Sequence, residues 1–132
     1  MEEQKDFEEI SVAICDDSAL MRNLVSRIVS ENPNFKIVCK AVNGKMLLDM
    51  LPSCKPDVIV LDIEMPVMTG VEFLKNRKAQ KIDVPVIILS SIATQGAAVT
   101  IQCLELGASD FITKPGGSVT LTEDVEEATT NA

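Results

Sequence analysis

Four places in this chain of 132 residues carry side chains suited to phosphoryl chemistry: Asp16-Asp17, Asp62, Ser90-Ser91 and Lys114. Asp62 closes the run Val58-Ile59-Val60-Leu61-Asp62 and stands just before Ile63-Glu64-Met65-Pro66. A carboxylate at the end of a wholly apolar stretch is costly to bury unless it is paired or bound to a cation. Each place has an ordinary explanation by itself. Asp62 can be a turn former accepting backbone amides, Asp16-Asp17 and Ser90-Ser91 helix caps, and Lys114 a solvated lysine. If the fold brings them together, the chemistry changes. Two unit charges about 5 Å apart repel by roughly 3 kcal/mol at an effective dielectric near 20, so clustered carboxylates call for a raised pKa or a cation. The chain has no histidine. The natural cation is therefore hard and oxygen-bound, Mg²⁺ (or Mn²⁺). Beside it Asp62 can attack a phosphoryl donor and become an acyl phosphate. Lys114 and the Ser90 hydroxyl are the groups needed to hold the remaining phosphoryl oxygens.

The surrounding pattern says which elements must position these groups. Ile10–Cys15 reads as a short apolar strand. After it Leu20, Met21, Leu24, Val25, Ile28 and Val29 repeat with helical spacing, capped by Asp17 or Ser18 and ended by Asn32-Pro33. Phe35–Val42 is a second strand. Asn43–Leu51 is a helix stopped by Pro52, and the Asp62 strand is third. Thr69-Gly70-Val71-Glu72 fits a capping box and opens a third helix through about Ala79. Pro85–Leu89 is a fourth strand, ending in Ser90-Ser91. A fourth helix is predicted from about Thr94 to Leu106, with Gly107 as its C′ residue, and Ser109–Thr113 is a fifth strand. Apolar strands alternating with amphipathic helices predict a doubly wound α/β domain, its parallel sheet covered on both faces. In such sheets ligands bind beyond the carboxyl ends of the strands where strand order reverses. Every out-of-place polar residue above lies at such an end, and the order 2-1-3-4-5 would gather all three carboxylates.

Composition sets the bounds. A chain of this length fits one domain. With 46% hydrophobic and only 3% aromatic residues, its core must be aliphatic. The net charge of −8 argues against nucleic acid and against a basic membrane patch. Cys15, Cys39, Cys54 and Cys103 show no C-x-x-C spacing and read as reduced thiols. Met1–Glu9 is a polar N-terminal extension rather than a signal peptide, and no apolar run is long enough to span a membrane. These features predict a cytoplasmic protein. We delimit residues 1–9 as extension, 10–117 as domain and 118–132 as a weak last helix or acidic tail.

From Ile10 to Pro115 the chain resembles the receiver domains of two-component response regulators, a flavodoxin-like fold of five parallel strands. Asp16-Asp17-Ser18 matches the family's acidic pair, Asp62 its phosphoacceptor, Ser90 its hydroxyl position and Lys114-Pro115 its lysine with a following proline. The resemblance implies the strand order 2-1-3-4-5 and phosphorylation of Asp62 by a histidine kinase. It implies a metal site of Asp16, Asp17, Asp62 and the Glu64 backbone carbonyl. It also implies a cis Lys114–Pro115 bond, loop-shaping roles for Pro66, Gly70 and Pro115, and a switch in which Ser90 and the aromatic Phe111 move together. Partners would read the face of helix four, strand five and the last helix. Asp17-Ser18-Ala19-Leu20-Met21-Arg22, Glu64-Met65-Pro66-Val67-Met68-Thr69-Gly70 and Leu104-Glu105-Leu106-Gly107-Ala108-Ser109-Asp110-Phe111 look like the receiver of chemotaxis protein-glutamate methylesterases. That branch implies a C-terminal esterase domain, whose Ser-His-Asp machinery a chain without histidine cannot supply. Glu64 departs from the Asn or small residue common at its position, which predicts an effect on phosphoryl lifetime.

Other readings differ at named residues. A stand-alone chemotaxis regulator of receiver type would carry the same site without an esterase domain. An Asp-nucleophile phosphohydrolase wants a second Asp where Glu64 stands and its acidic pair late in the chain. A flavin-nucleotide binder is disfavoured because Asp16-Asp17 would repel its phosphate. A docking module that is never phosphorylated leaves the full set of site residues unexplained.

Overall fold

The computed structural model describes residues 9–65, 67–91 and 98–114. Its elements run β1 (Ile10–Cys15), α1 (Ala19–Ser30), β2 (Phe35–Ala41), α2 (Gly44–Cys54), β3 (Val58–Asp62), α3 (Gly70–Ala79), β4 (Val86–Ser90), α4 (Ala98–Glu105) and β5 (Asp110–Thr113). The strands pair in parallel in the order β2-β1-β3-β4-β5, as the resemblance implies. β3 and β4 are buried from end to end, which is why they read as unbroken apolar runs.

Alternation along each strand divides the core in two. Val12, Ile14, Val58, Val60, Ile87, Leu89 and Ile112 point to one face and pack with Val25 and Val29 of α1. Ala13, Cys15, Ile59, Leu61, Val86 and Ile88 point to the other, against Leu47 and Leu51 of α2, Phe73 and Leu74 of α3 and Cys103 of α4. Burying a large aliphatic side chain fully is worth about 1.5–3 kcal/mol. These two layers therefore hold rigid the strand ends that carry the polar residues.

Local signals set the helix boundaries. Ser18 Oγ accepts from the Met21 amide at α1, and Asn43 Oδ1 accepts from the Met46 amide at α2. Thr69 and Glu72 form the full capping box at α3. Gly107, at φ 111°, closes α4: its amide donates to Leu104 and the Ala108 amide to Cys103.

Two expectations need correction. Pro52 does not stop α2, which continues to Cys54 with Pro52 inside it. The helix has only two residues left after Pro52. Leu51, which the following proline would push out of helical geometry, is held there by burial in the core. Leu20 is not part of the inward face of α1 but 80% exposed. The inward stripe is Met21, Val25, Ile28 and Val29, and Leu20 stands about 100° round the helix from Met21, which turns it to solvent.

Residues 1–8, 92–97 and 115–132 lie outside the described residues, and so do Pro66 and Pro115. The expected extension, tail, last helix, start of the fourth helix and cis Lys114–Pro115 bond fall there. Among the described residues no helix is long and apolar enough to cross a membrane.

Candidate functional site

The strand order places the ends of β1 and β3 side by side, with β4 and β5 following on the other side of β3. Cys15 pairs with Leu61, Asp62 with Leu89, and Ser90 with Thr113. Asp16, Asp62, Ser90 and Lys114 therefore open onto one crevice. The backbone fixes each position. The Asp16 amide donates to Ala41, the Ile63 amide to Leu89 and the Lys114 amide to Ser90, all between 2.8 and 3.1 Å. Asp16, Asp62 and Ser90 are each 0% exposed, whereas Asp17 is open to solvent.

Asp16, Asp17 and Asp62 each offer a carboxylate oxygen, and the three lie within 4.8 Å of one another. Asp16 Oδ1 accepts from the Ser18 amide at 2.9 Å. Asp62 Oδ1 accepts from the Glu64 amide at 3.2 Å and from Lys114 Nζ at 3.0 Å. Among the described residues three buried side-chain oxygens have no hydrogen-bond partner: Asp16 Oδ2, Asp62 Oδ2 and Ser90 Oγ. Buried polar groups are otherwise almost always satisfied, because each orphan costs about 1–3 kcal/mol. Three orphans at neighbouring strand ends mark a site built to receive something.

Electrostatics agree. Burial pushes the Asp62 carboxyl up to about 6, further raised by the Asp16 charge and held back by the Lys114 hydrogen bond and the Glu64 amide. Burial likewise raises Asp16, against the Ser18 amide and the Lys114 charge. Burial alone would lower Lys114, but its hydrogen bond to Asp62 and the charges of Asp62, Asp16 and Glu64 outweigh it and raise it. One ammonium is shared among several carboxylates, so negative charge remains in excess. All-oxygen donors, two of them orphaned, fit a hard divalent cation such as Mg²⁺.

The remaining sequence candidates are placed as follows. Glu64 has its side chain exposed beside the crevice, with its amide turned to Asp62. Gly70 donates its amide to the Ile63 carbonyl at 3.1 Å, and a Cβ there would stand 3.0 Å from Ile63 Cα. Phe111 is half-buried on β5, packed against the α2–α3–α4 side of the core. Arg22 stands in the sequence only as the end of the Asp17–Arg22 motif, with no site role assigned, yet its Nη1 donates to the Asp16 carbonyl at 2.8 Å. Its place one turn into the helix that follows the acidic pair was the available signal.

Comparison with known proteins points the same way. The family model for the response regulator receiver domain matches residues 12–126. Protein-glutamate methylesterase/protein-glutamine glutaminase of Treponema denticola is 61% identical over 112 residues, covering 85% of this chain and 30% of that protein. The Treponema pallidum protein of the same name is 58% identical over 114 residues, covering 86% of this chain and 28% of that one. The chain thus spans less than a third of the length of these relatives. The response regulator domain of Thermotoga maritima CheB superposes with a TM-score of 0.80 at 41% identity, covering 93% of this chain and 95% of that one. A neighbour from R. sphaeroides is described as the P1 domain of CheA3 in complex with CheY6. It matches with a TM-score of 0.76 at 36% identity over 93% of this chain and 95% of the other.

Proposed function

The chain belongs to the response regulator receiver domain family, and on that premise we propose that Asp62 is its phosphoacceptor. The carrying observation is the set of orphaned oxygens, Asp62 Oδ2, Asp16 Oδ2 and Ser90 Oγ, facing one crevice. Asp62 Oδ2 attacks the phosphorus of a phosphohistidine: an O–P bond forms, the N–P bond breaks, and the imidazole leaves with a proton. Lys114 gives up its contact with Asp62 Oδ1 and donates to a phosphoryl oxygen, while Ser90 Oγ donates to another. Mg²⁺, held by Asp16, Asp17, Asp62 and the Glu64 carbonyl, would supply the positive charge that lets a phosphoryl anion approach. Phe111 and Ser90 then shift together, and the surface around α4 and β5 carries the state to partners.

The donor is a histidine kinase of the chemotaxis type, in keeping with the R. sphaeroides neighbour described as the P1 domain of CheA3 in complex with CheY6. The reader of the state is a C-terminal esterase domain, in keeping with the Treponema relatives, so this chain is the regulatory part of a protein-glutamate methylesterase. Incubation with Mg²⁺ and acetyl phosphate, followed by intact-mass measurement, tests the centre of this reading. A single phosphoryl adduct on the parent chain and none on Asp62→Ala is expected. An equal adduct on both chains, or none on either, sinks it. Repeated turnover of a generic phosphate ester would instead support a phosphohydrolase.

A further inference from the structure

Two cysteines outside the acidic crevice meet in the fold. Cys39 lies on β2 and Cys54 closes α2, and their Sγ atoms are 2.9 Å apart. Strand parity alone would not bring them together. Phe35 and Ile37 face the α1 side of the sheet, and strict alternation would send Cys39 to the same side. The β1–β2 register slips there: Val12 pairs with Ile37, but Ala13 pairs with Cys39, leaving Val38 as a bulge. The bulge turns Cys39 and Ala41 to the α2 side, where both pack with Ala13, Leu47 and Leu51. On the other element, α2 runs past Pro52 just far enough to bring Cys54 alongside. Two irregularities, one in each element, thus converge on one pair of sulfurs.

We propose that Cys39 and Cys54 form a peroxide-sensitive dithiol that closes to an intramolecular disulfide. All four cysteines are free thiols, but access separates them. Cys15 and Cys103 are fully buried. Cys54 is half-buried and opens, with Cys39, onto a surface groove of about 460 Å³ also lined by Val38, Asp49, Met50 and Ser53. A peroxide in that groove meets Cys54 first. The Cys54 thiolate attacks one peroxide oxygen: an S–O bond forms, the O–O bond breaks, and the departing hydroxide takes a proton to become water. The Cys39 sulfur then attacks the Cys54 sulfenic sulfur. An S–S bond forms, the S–O bond breaks, and hydroxide leaves with the Cys39 proton as a second water. Two thiols and one peroxide become one disulfide and two waters, and the sulfurs lose two electrons to the peroxide. Burial, with the hydrogen bond to Cys54 and its charge, pushes Cys39 up to about 12, which keeps it a thiol until the sulfenic acid stands beside it. A disulfide bond is about 2.05 Å long, so the sulfurs close by less than about an ångström. The bond ties the edge strand β2 to the end of α2 opposite the acidic crevice, and phosphorylation of Asp62 is expected to be unchanged by it.

The test treats the full 132-residue chain with hydrogen peroxide in native buffer, alkylates the remaining thiols, and maps the peptides by mass. The expected result is a monomer lighter by two hydrogens, a peptide pair linked through Cys39 and Cys54, and reversal by dithiothreitol. The oxidised chain should also unfold at higher urea concentration, because the link closes a loop in the unfolded chain. Cys54→Ser should abolish the linkage while Cys15 and Cys103 stay protected. Linkage through Cys15 or Cys103, dimers joined between chains, sulfinic acid on Cys54 without a link, or an unchanged mass would each overturn the proposal. The peptide map of the unaltered chain decides the matter even if a variant fails to fold.

Discussion

Replacing Asp62 by asparagine is expected to stabilise the metal-free chain, although it removes the proposed phosphoacceptor. Asp62 is sealed from solvent at the end of β3, and burial pushes its carboxyl up to about 6 from the ordinary 3.8. A carboxyl raised on folding contributes most to stability while it is protonated. That contribution is complete below the unfolded value near 3.8 and is lost as pH rises through about 6. At pH 7.5 the folded chain carries an ionised Asp62 at a cost of about 3 kcal/mol, at about 1.4 kcal/mol for each pH unit between the two values. Asparagine keeps the shape without the charge. It also deprives Lys114 of its 3.0 Å partner, although Asp16 remains nearby, so part of the gain is returned. The net gain is about 1–3 kcal/mol, which for a chain of this size raises the thermal midpoint by about 4–10 °C. The assay is thermal unfolding of both chains in EDTA at pH 7.5 and pH 4.5. The gap should be clear at pH 7.5 and narrower by about 2 kcal/mol at pH 4.5, the 1.5 pH units below the folded value. Millimolar Mg²⁺ should stabilise the parent and leave Asp62→Asn nearly unchanged, since a ligand tenfold above its Kd adds about 1.4 kcal/mol. An Asp62→Asn chain no more stable than the parent at pH 7.5, or a gap as wide at pH 4.5 as at pH 7.5, would refute the reasoning.

Three further substitutions test neighbouring features. Gly70→Ala places a Cβ against the Ile63 backbone at 3.0 Å, and urea unfolding should show a loss of about 1–3 kcal/mol; an unchanged midpoint would mean the β3–α3 loop yields freely. Lys55 ends α2 at φ 45°, so Lys55→Gly relieves left-handed strain and should raise stability by about 0.5–1 kcal/mol in the same assay. Glu64→Asn changes the exposed side chain beside the proposed phosphoacceptor, and the dephosphorylation rate should change by about threefold or more, which takes only ~0.7 kcal/mol of barrier. An unchanged rate removes Glu64 from the account of phosphoryl lifetime.

Most of the fold was readable because each element states its own boundaries. The apolar runs that became β3 and β4 admit no polar face, and Thr69-Glu72 and Gly107 announce a helix start and a helix stop in side-chain chemistry. What escaped were features that depend on relations between elements. Local rules penalise Pro52 inside a helix and make it read as a stop, and the burial of Leu51 that overrides them is visible only once α2 is packed. Leu20 matches the helical period with Leu24 and Ile28, but the core sits under the stripe beginning at Met21, and periodicity alone does not say which of two adjacent stripes faces inward. The Val38 bulge leaves no signal in composition, yet it decides which face Cys39 occupies.

The crevice residues were legible for the opposite reason. Asp16, Asp62 and Ser90 conflict with the apolar strands they terminate, and a conflict that folding retains asks for a compensating gain. The structure gives the conflict a size: three buried oxygens without partners, and a carboxyl raised to about 6 despite a lysine in contact. Lys114 offsets only part of the excess charge, because burial opposes its own ionisation while it serves both Asp62 and Asp16. A metal-free site is therefore under electrostatic tension that a cation would relieve. The same imbalance that makes Asp62→Asn stabilising would make the native chain responsive to what binds there. Stability given up at the ends of β1, β3 and β4 is what leaves Asp62 Oδ2 free for the nucleophilic role proposed for it; a site with every oxygen paired would be more stable and inert.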